Sequence, residues 1–412
     1  MTPYLENHVS VKHQTVDVLW HGAVTEGHPV ALWRLPRTTE KQLLIDLSCN
    51  VSTRKIDLEE LPSGFAISPF EGESLFLKAD LYYCFSADLE EQASVYSSTY
   101  EAEIFEKKCL EHWDEKQFFT QELSPIVATE KKKFTYPSFP SLYDEEVFGD
   151  MVKQAVAQIE QGKMQKVVLS RTKEISLPEN FELIEAFNKL CVAYPDAFVS
   201  VVYLPETKEI WMGATPETLI SVDKEGIFKT MSLAGTQSAL DEKGDFIAPV
   251  DIRWSHKEIE EQAFVSRYII GCFKKIRLRE YHESGPKTVM AGNLMHLRSD
   301  FKVDVNEVNF PQLGTVMTEL LHPTSAVCGM PKKPAIDFIA GNEMHDREFY
   351  SGFLGPVNIN QETSLFVNLR TMKIQGNDAT LFAGCGITTD SDPVKEWKET
   401  EMKCQTLLRV IL

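Results

Sequence analysis

The chain has 412 residues, 43% of them hydrophobic, and a formal net charge of −19; its length permits one large domain or two to three ordinary ones. The acidic balance argues against nucleic acid and against an anionic membrane surface, which select basic faces, although a small anionic ligand needs only a local cationic cluster or a metal. No apolar run approaches the roughly 18 residues of a membrane span, MTPYLENHVSVKHQ at the start has no apolar signal core, and the eight cysteines are scattered without a CxxC pair, so reduced thiols in a cytoplasmic protein are expected.

Short β-like runs bounded by turn residues open the chain: HPVALWRLP (28–36), QLLIDLS (42–48), GFAISPF (64–70) and SLFLKADLYYCFS (74–86). A polar helix is expected from about 88 to 110, and TEKKKFTYPSFPSLYDEE (129–146) reads as a charged, proline-interrupted loop, the one candidate linker. A helix over about 143–161 then leads into the strand KVVLSRTKEISL (166–177). The helix FELIEAFNKLCVAY and the strands FVSVVYLP, EIWMGATPETLISV and FKTMSLAGT follow, then a long helix over about 256–273. TVMAGNLMHLRSDFKV, FYSGFLGPVNI, SLFVNLRTMKIQ and DATLFAGCGI read as strands, with helices before residues 320 and 342 and at the C-terminus. Strands come in adjacent groups rather than alternating strictly with helices. An α+β fold with mostly antiparallel sheets is therefore expected over a doubly wound parallel one.

Candidate chemistry concentrates in a few places. In SDPVKEWKETEMK (391–403), Asp392-Pro393 is a helix-start signal. The helix then lines up Glu396, Glu399 and Lys403 on one side. Periodicity reads this stripe equally as a solvated face with an ion pair. The preceding AGCGI adds a second reading, because glycines let backbone amides approach an anion. In HKEIEEQAFVSRYIIGC, Glu258 and Glu261 share a face of an otherwise apolar helix, where carboxylates need a partner. Two such helices meeting over a hard cation satisfy both; simple exposure is the other reading.

Lys166 opens a strand, where lysine is ordinarily exposed; desolvated beside a pocket it can serve as a general base. Glu217, behind the Gly213–Pro216 turn, is either a loop carboxylate or a general acid. His296, Arg370 and Tyr350 are each readable as core or as ligand contacts. No Walker A loop, dinucleotide fingerprint, HExxH or GxSxG occurs.

In order, KVVLSR, GATPE, LAGT, KEIEEQ, HLRSDF, LHPTSAVCGMP, DREFYSGFLGP, VNLR, AGCGI and SDPVKEWKET resemble the chorismate-utilising enzymes, over about residues 145–408. That family includes anthranilate synthase component I and the aminodeoxychorismate, salicylate and isochorismate synthases. The resemblance implies a single domain over 1–412 with two packed antiparallel sheets flanked by helices. Residues 145–408 carry the catalytic motifs, and a divergent N-terminal part (1–130) completes the sheets. It implies chorismate as substrate and Mg²⁺ as cofactor, with Glu261 and Glu399 as ligands and Glu396 and Glu258 as outer partners. Tyr350, Arg370, Lys403 and the amides around Gly384 and Gly386 should hold the substrate's anionic groups. The Ala234-Gly235-Thr236 turn should contact the substrate, with Thr324 or His296 lining the ring.

Within the family, ammonia-adding members carry another residue where Lys166 stands, and the aminodeoxychorismate branch has a nucleophilic lysine in the loop where Ala234 lies. The resemblance is therefore strongest to the water-adding branch that forms isochorismate, with Lys166 as base and Glu217 as acid. Menaquinone and catechol siderophores are both open as destinations of the product. A monomer without a glutamine amidotransferase subunit is expected. The alternatives are a salicylate-forming enzyme, which also eliminates pyruvate, and a silent relative that only binds chorismate or Mg²⁺. The chain departs from the family pattern at Gln262, where many members have histidine, at Val303 in place of a glycine, and in lacking an arginine after LAGT.

Overall fold

Every pairing in the two sheets of this chain is antiparallel, one sheet having eleven strands and the other nine among the described residues. The computed structural model describes residues 9–12, 15–48, 51–85, 92–95, 99–123, 142–241, 246–291 and 294–411. Strands Val30–Arg34, Lys41–Ile45 and Leu81–Phe85 extend the larger sheet from Phe198–Leu204 outward, and Gly64–Ser68 and Ser74–Lys78 extend the smaller one from Phe353–Val357. Both sheets are thus built from the two ends of the chain. Trp33, Phe65, Phe198, Trp211, Phe366 and Phe382, drawn from both sheets, form one buried cluster, with Phe198 and Phe366 stacked at 4.1 Å. Helices cover the outer faces, so strands such as Lys166–Ser176 are buried on both sides over most of their length. No described helix is long and apolar enough to cross a membrane.

Three segments that read as single strands are each two. SLFLKADLYYCFS divides into Ser74–Lys78 and Leu81–Phe85, EIWMGATPETLISV into Glu209–Thr215 and Thr218–Val222, and SLFVNLRTMKIQ into Thr363–Val367 and Thr371–Gln375. In each case the halves belong to different sheets. TVMAGNLMHLRSDFKV likewise divides, into the antiparallel partners His282–Ala291 and Leu294–Asp304. The helix expected near 88–110 is described at Thr99–Leu123. Of the expected linker, residues 129–141 lie outside the described residues.

Two of the sheet changes run side by side. Glu209–Thr215 pairs with Thr371–Gln375 in one sheet, and Thr218–Val222 with Thr363–Val367 in the other. The bend is held where Val367 N donates to Glu217 O (3.0 Å) and Ala214 N to Arg370 O (3.1 Å). Glu217 and Arg370 therefore sit where a two-stranded ribbon passes from sheet to sheet. Arg370 has φ +49°, a left-handed conformation that the crossing imposes on a non-glycine residue.

Candidate active site

An open cleft lies at this bend. Of the residues singled out in the sequence, all line it except Thr324, Glu258 and Glu396. Pro216, Val168, Leu233, Ala326, Val327, Leu369 and Phe382 complete its apolar wall; their hydrophobicity is indistinguishable in sequence from that of core residues. A wall of apolar residues with a few convergent charges is the usual composition of a small-molecule site.

Lys166 is only 2% exposed, although it opens its strand. Strand Asp378–Ile387 runs beside it, and Gly386 makes the approach feasible. A Cβ there would sit 2.8 Å from Lys166 Cε, 3.2 Å from Nζ and 3.3 Å from Glu261 Oε1. Gly384 plays the same part for Tyr350, whose hydroxyl would lie 2.9 Å from a Cβ at that position. The AGCGI segment, expected as a turn, is the end of this strand, and it serves by leaving room for side chains from elsewhere in the fold.

Glu217 is 5% exposed, and burial pushes its carboxyl up to about 7 despite the nearby charges of Lys166, Lys403 and Arg370. Such a group is partly protonated at neutral pH. His296 is buried as well, and burial, reinforced by Arg370, lowers its imidazole to about 3. Its Nδ1 lies 2.8 Å from the carbonyl oxygen of Gly235, which can only accept, so Nδ1 carries the proton. Nε2 is then an acceptor, and it has no partner among the described residues. Gly235 itself has φ +70°, a conformation glycine adopts freely.

Helix Pro393–Ile411 begins as its sequence requires, with Asp392 Oδ1 accepting from Lys395 N at 2.9 Å. It is seated on the strand Lys166–Ser176 by Arg171, whose guanidinium lies 3.9 Å over Trp397 and donates to Thr400 Oγ1 (2.7 Å) and to Glu401. This delivers Glu399 and Lys403, paired at 2.7 Å, to the cleft. Lys403 Nζ also donates to Gly384 O at 2.7 Å. Burial tends to raise Glu399, but Lys403 and Lys257 hold it below the ordinary carboxylate value. Glu261 is raised by burial, with Lys166 and Lys257 opposing.

The remaining candidates lie outside the cleft lining. Glu258 completes the capping box of its helix, accepting from Ser255 N at 2.6 Å, and also accepts from Gln237 Nε2 at 2.9 Å. Glu396 is 2% exposed and paired at 2.5 Å with Lys257, a residue sequence reasoning missed although it stands one helical turn before Glu261. Thr324 lines a small adjoining space shared with Glu217, and its Oγ1 accepts from Ala326 N. Gln262 faces the sheet, donating to Ser232 Oγ at 2.7 Å.

No three His, Cys, Asp or Glu side chains are gathered into a ready metal cage among the described residues. Glu261 and Glu399 do bring two carboxylates to one cleft, and Glu396, outside the lining, keeps Oε2 buried without a partner among the described residues. An all-oxygen, two-carboxylate donor set suits a hard divalent cation that keeps positions open for substrate or water. Against a net charge of −19, Lys166, Arg370 and Lys403 are positive groups gathered in a cleft that also holds Glu217, Glu261 and Glu399, and they are the ones an anionic ligand can meet.

Residues 69–412 match the family model described as chorismate binding enzyme. Over 269 residues the chain is 30% identical to the isochorismate synthase EntC of Escherichia coli (strain K12), covering 65% of this chain and 67% of that protein. The solved structure of MenF, the menaquinone-specific isochorismate synthase from Escherichia coli, superposes with a TM-score of 0.70 at 18% identity, covering 99% of this chain and 97% of the other. Anthranilate synthase component I from Streptococcus pneumoniae TIGR4 superposes with a TM-score of 0.63 at 18% identity, covering 99% and 93%. The two-sheet architecture is thus shared by proteins of different activity, and only the cleft residues can discriminate among them.

Proposed function

The chain belongs to the chorismate-binding enzymes, and from that premise we propose that it is an isomerase (a hydroxymutase) converting chorismate to isochorismate. The observation that carries this reading is a buried lysine and a carboxyl raised to about 7 lining the same cleft. Lys166 takes a proton from water as the water oxygen bonds to ring carbon 2. The ring double bonds shift, the bond from carbon 4 to its hydroxyl breaks, and Glu217 gives its proton to the departing oxygen. One water enters and one leaves, so no redox or nucleotide cofactor is needed. Acid–base assistance of this kind is worth about 10²–10⁴-fold.

Glu261 and Glu399 would hold Mg²⁺, which when bound would supply electrostatic anchoring of the ring carboxylate. Arg370, Lys403 and the Tyr350 hydroxyl orient the remaining anionic groups, and His296 Nε2 accepts a hydrogen bond from a hydroxyl in the cleft. Leu233, Ala326, Val327 and Phe382 restrict water around the ring. Because water is the nucleophile, no amidotransferase subunit is required.

Purified protein with chorismate and Mg²⁺, with and without EDTA and with ammonium in parallel, should yield isochorismate that disappears with EDTA and in Lys166→Ala. Salicylate with pyruvate would place the chain in the eliminating branch. An amino product would overturn the base assignment, and unreacted chorismate throughout would indicate a silent binder.

A further inference from the structure

The helix His256–Lys275 carries Lys257 and Glu261 one turn apart, on the side that faces the helix Pro393–Ile411. The Lys257 ammonium lies 2.5 Å from Glu396 Oε1 on the second helix and 3.7 Å from Glu261 Oε1 on its own. Its side chain is 20% exposed, whereas that of Glu396 is 2% exposed. The other cleft carboxylate on the second helix, Glu399, has its own lysine in Lys403, which is tied to Gly384 O. Lys257 does not line the cleft. It approaches Glu261 from behind, on the side where Glu396 lies.

We propose that Lys257 is a tethered counter-cation of the metal site. It neutralises Glu261 and Glu396 when no divalent cation is bound, and it competes with that cation for Glu261. This inference rests on the reading of Glu261 and Glu399 as metal carboxylates. Without a positive charge, the carboxylates that these two helices bring to one poorly hydrated place repel one another. The lysine bridges them and removes that repulsion before metal arrives. Because Lys257 is anchored on Glu396, it cannot diffuse away when the cation binds, so a like charge persists beside the ion. The tether therefore weakens metal affinity while stabilising the metal-free fold. A lysine with a purely structural role makes the opposite prediction, since its loss would splay the helices and weaken binding.

The test is direct titration of the full chain with Mn²⁺, read by the paramagnetic signal of free Mn²⁺, for the native protein, Lys257→Gln, Lys257→Met, Lys257→Arg and Glu261→Gln. Thermal midpoints in EDTA are measured alongside. Lys257→Gln and Lys257→Met should bind Mn²⁺ on the order of ten-fold more tightly. Both should melt earlier in EDTA and regain the native midpoint with Mn²⁺. Lys257→Arg, which keeps the charge, should stay within about two-fold of native affinity. Unchanged or weaker binding in the neutral variants overturns the proposal. If Glu261→Gln loses Mn²⁺ while the neutral variants show no tightening, the tether fails and the metal reading stands. If Glu261→Gln binds like the native protein, the metal reading fails and the tether falls with it.

Discussion

Replacing Glu217 by glutamine should abolish turnover and yet make the protein more stable. The carboxyl's ordinary value is 4.5, and burial raises it to about 7 in the fold. A carboxyl raised on folding binds its proton more tightly in the native than in the unfolded state, so stability falls as pH rises between those two values. The cost is absent below the unfolded value, grows through pH 5–7 and levels off above pH 7 at ~3 kcal/mol. Glutamine has the shape and neutrality of the protonated acid and avoids that cost. Urea unfolding of metal-free protein should show Glu217→Gln close to native at pH 5, and its advantage should widen by about 2 kcal/mol by pH 8. Isochorismate formation should fall by about 10²–10⁴-fold, because the amide cannot protonate the departing hydroxyl. Equal or lower stability of the variant at pH 8 would refute the argument that Glu217 is a carboxyl held neutral by burial. Retained turnover would refute its role as acid.

Gly386→Ala sets a methyl against the ends of the Lys166 and Glu261 side chains rather than against backbone, so they can turn aside; kcat/KM should drop about 10²-fold with the urea midpoint nearly unchanged. Gly384→Ala meets the Leu169 carbonyl at 2.8 Å, so its loss should appear in stability as well. With the His296 imidazole near 3, His296→Gln should lower kcat/KM by about ten-fold without changing the shape of its profile between pH 5 and 9. The fall in rate as pH rises through about 7 should belong to Glu217 and persist in that variant. Arg171→Met removes the stack on Trp397 and the bonds to Thr400 and Glu401. It should cost about 2 kcal/mol in urea unfolding and raise KM for chorismate by loosening the helix that carries Lys403.

The helices and most strands were legible because their signals are local. Asp392-Pro393 marks a helix start whatever surrounds it, and KVVLSR is an apolar β-run in any context. The sheet changes at Ala79–Asp80, Pro216–Glu217 and Asn368–Arg370 were not legible. Residues on both sides of each change keep strand-like composition, and nothing local says that the hydrogen-bonding partner has changed. Lys257 was overlooked for a related reason: in sequence it is one more charge in a charged turn, and its partner Glu396 lies in another helix.

By itself the sequence determined the family and a set of candidate residues, since the ordered motifs named the lysine, the carboxylates and the cationic residues before any of them could be shown to meet. Only the tertiary structure decided which of these groups share a cleft. It turned Glu258 into a helix cap and left Thr324 in a neighbouring space. It also gave Glu217 its raised carboxyl and His296 its single tautomer. The physical reason is that burial and electrostatic fields are set by every element packed around a group, and those elements come from distant parts of the chain.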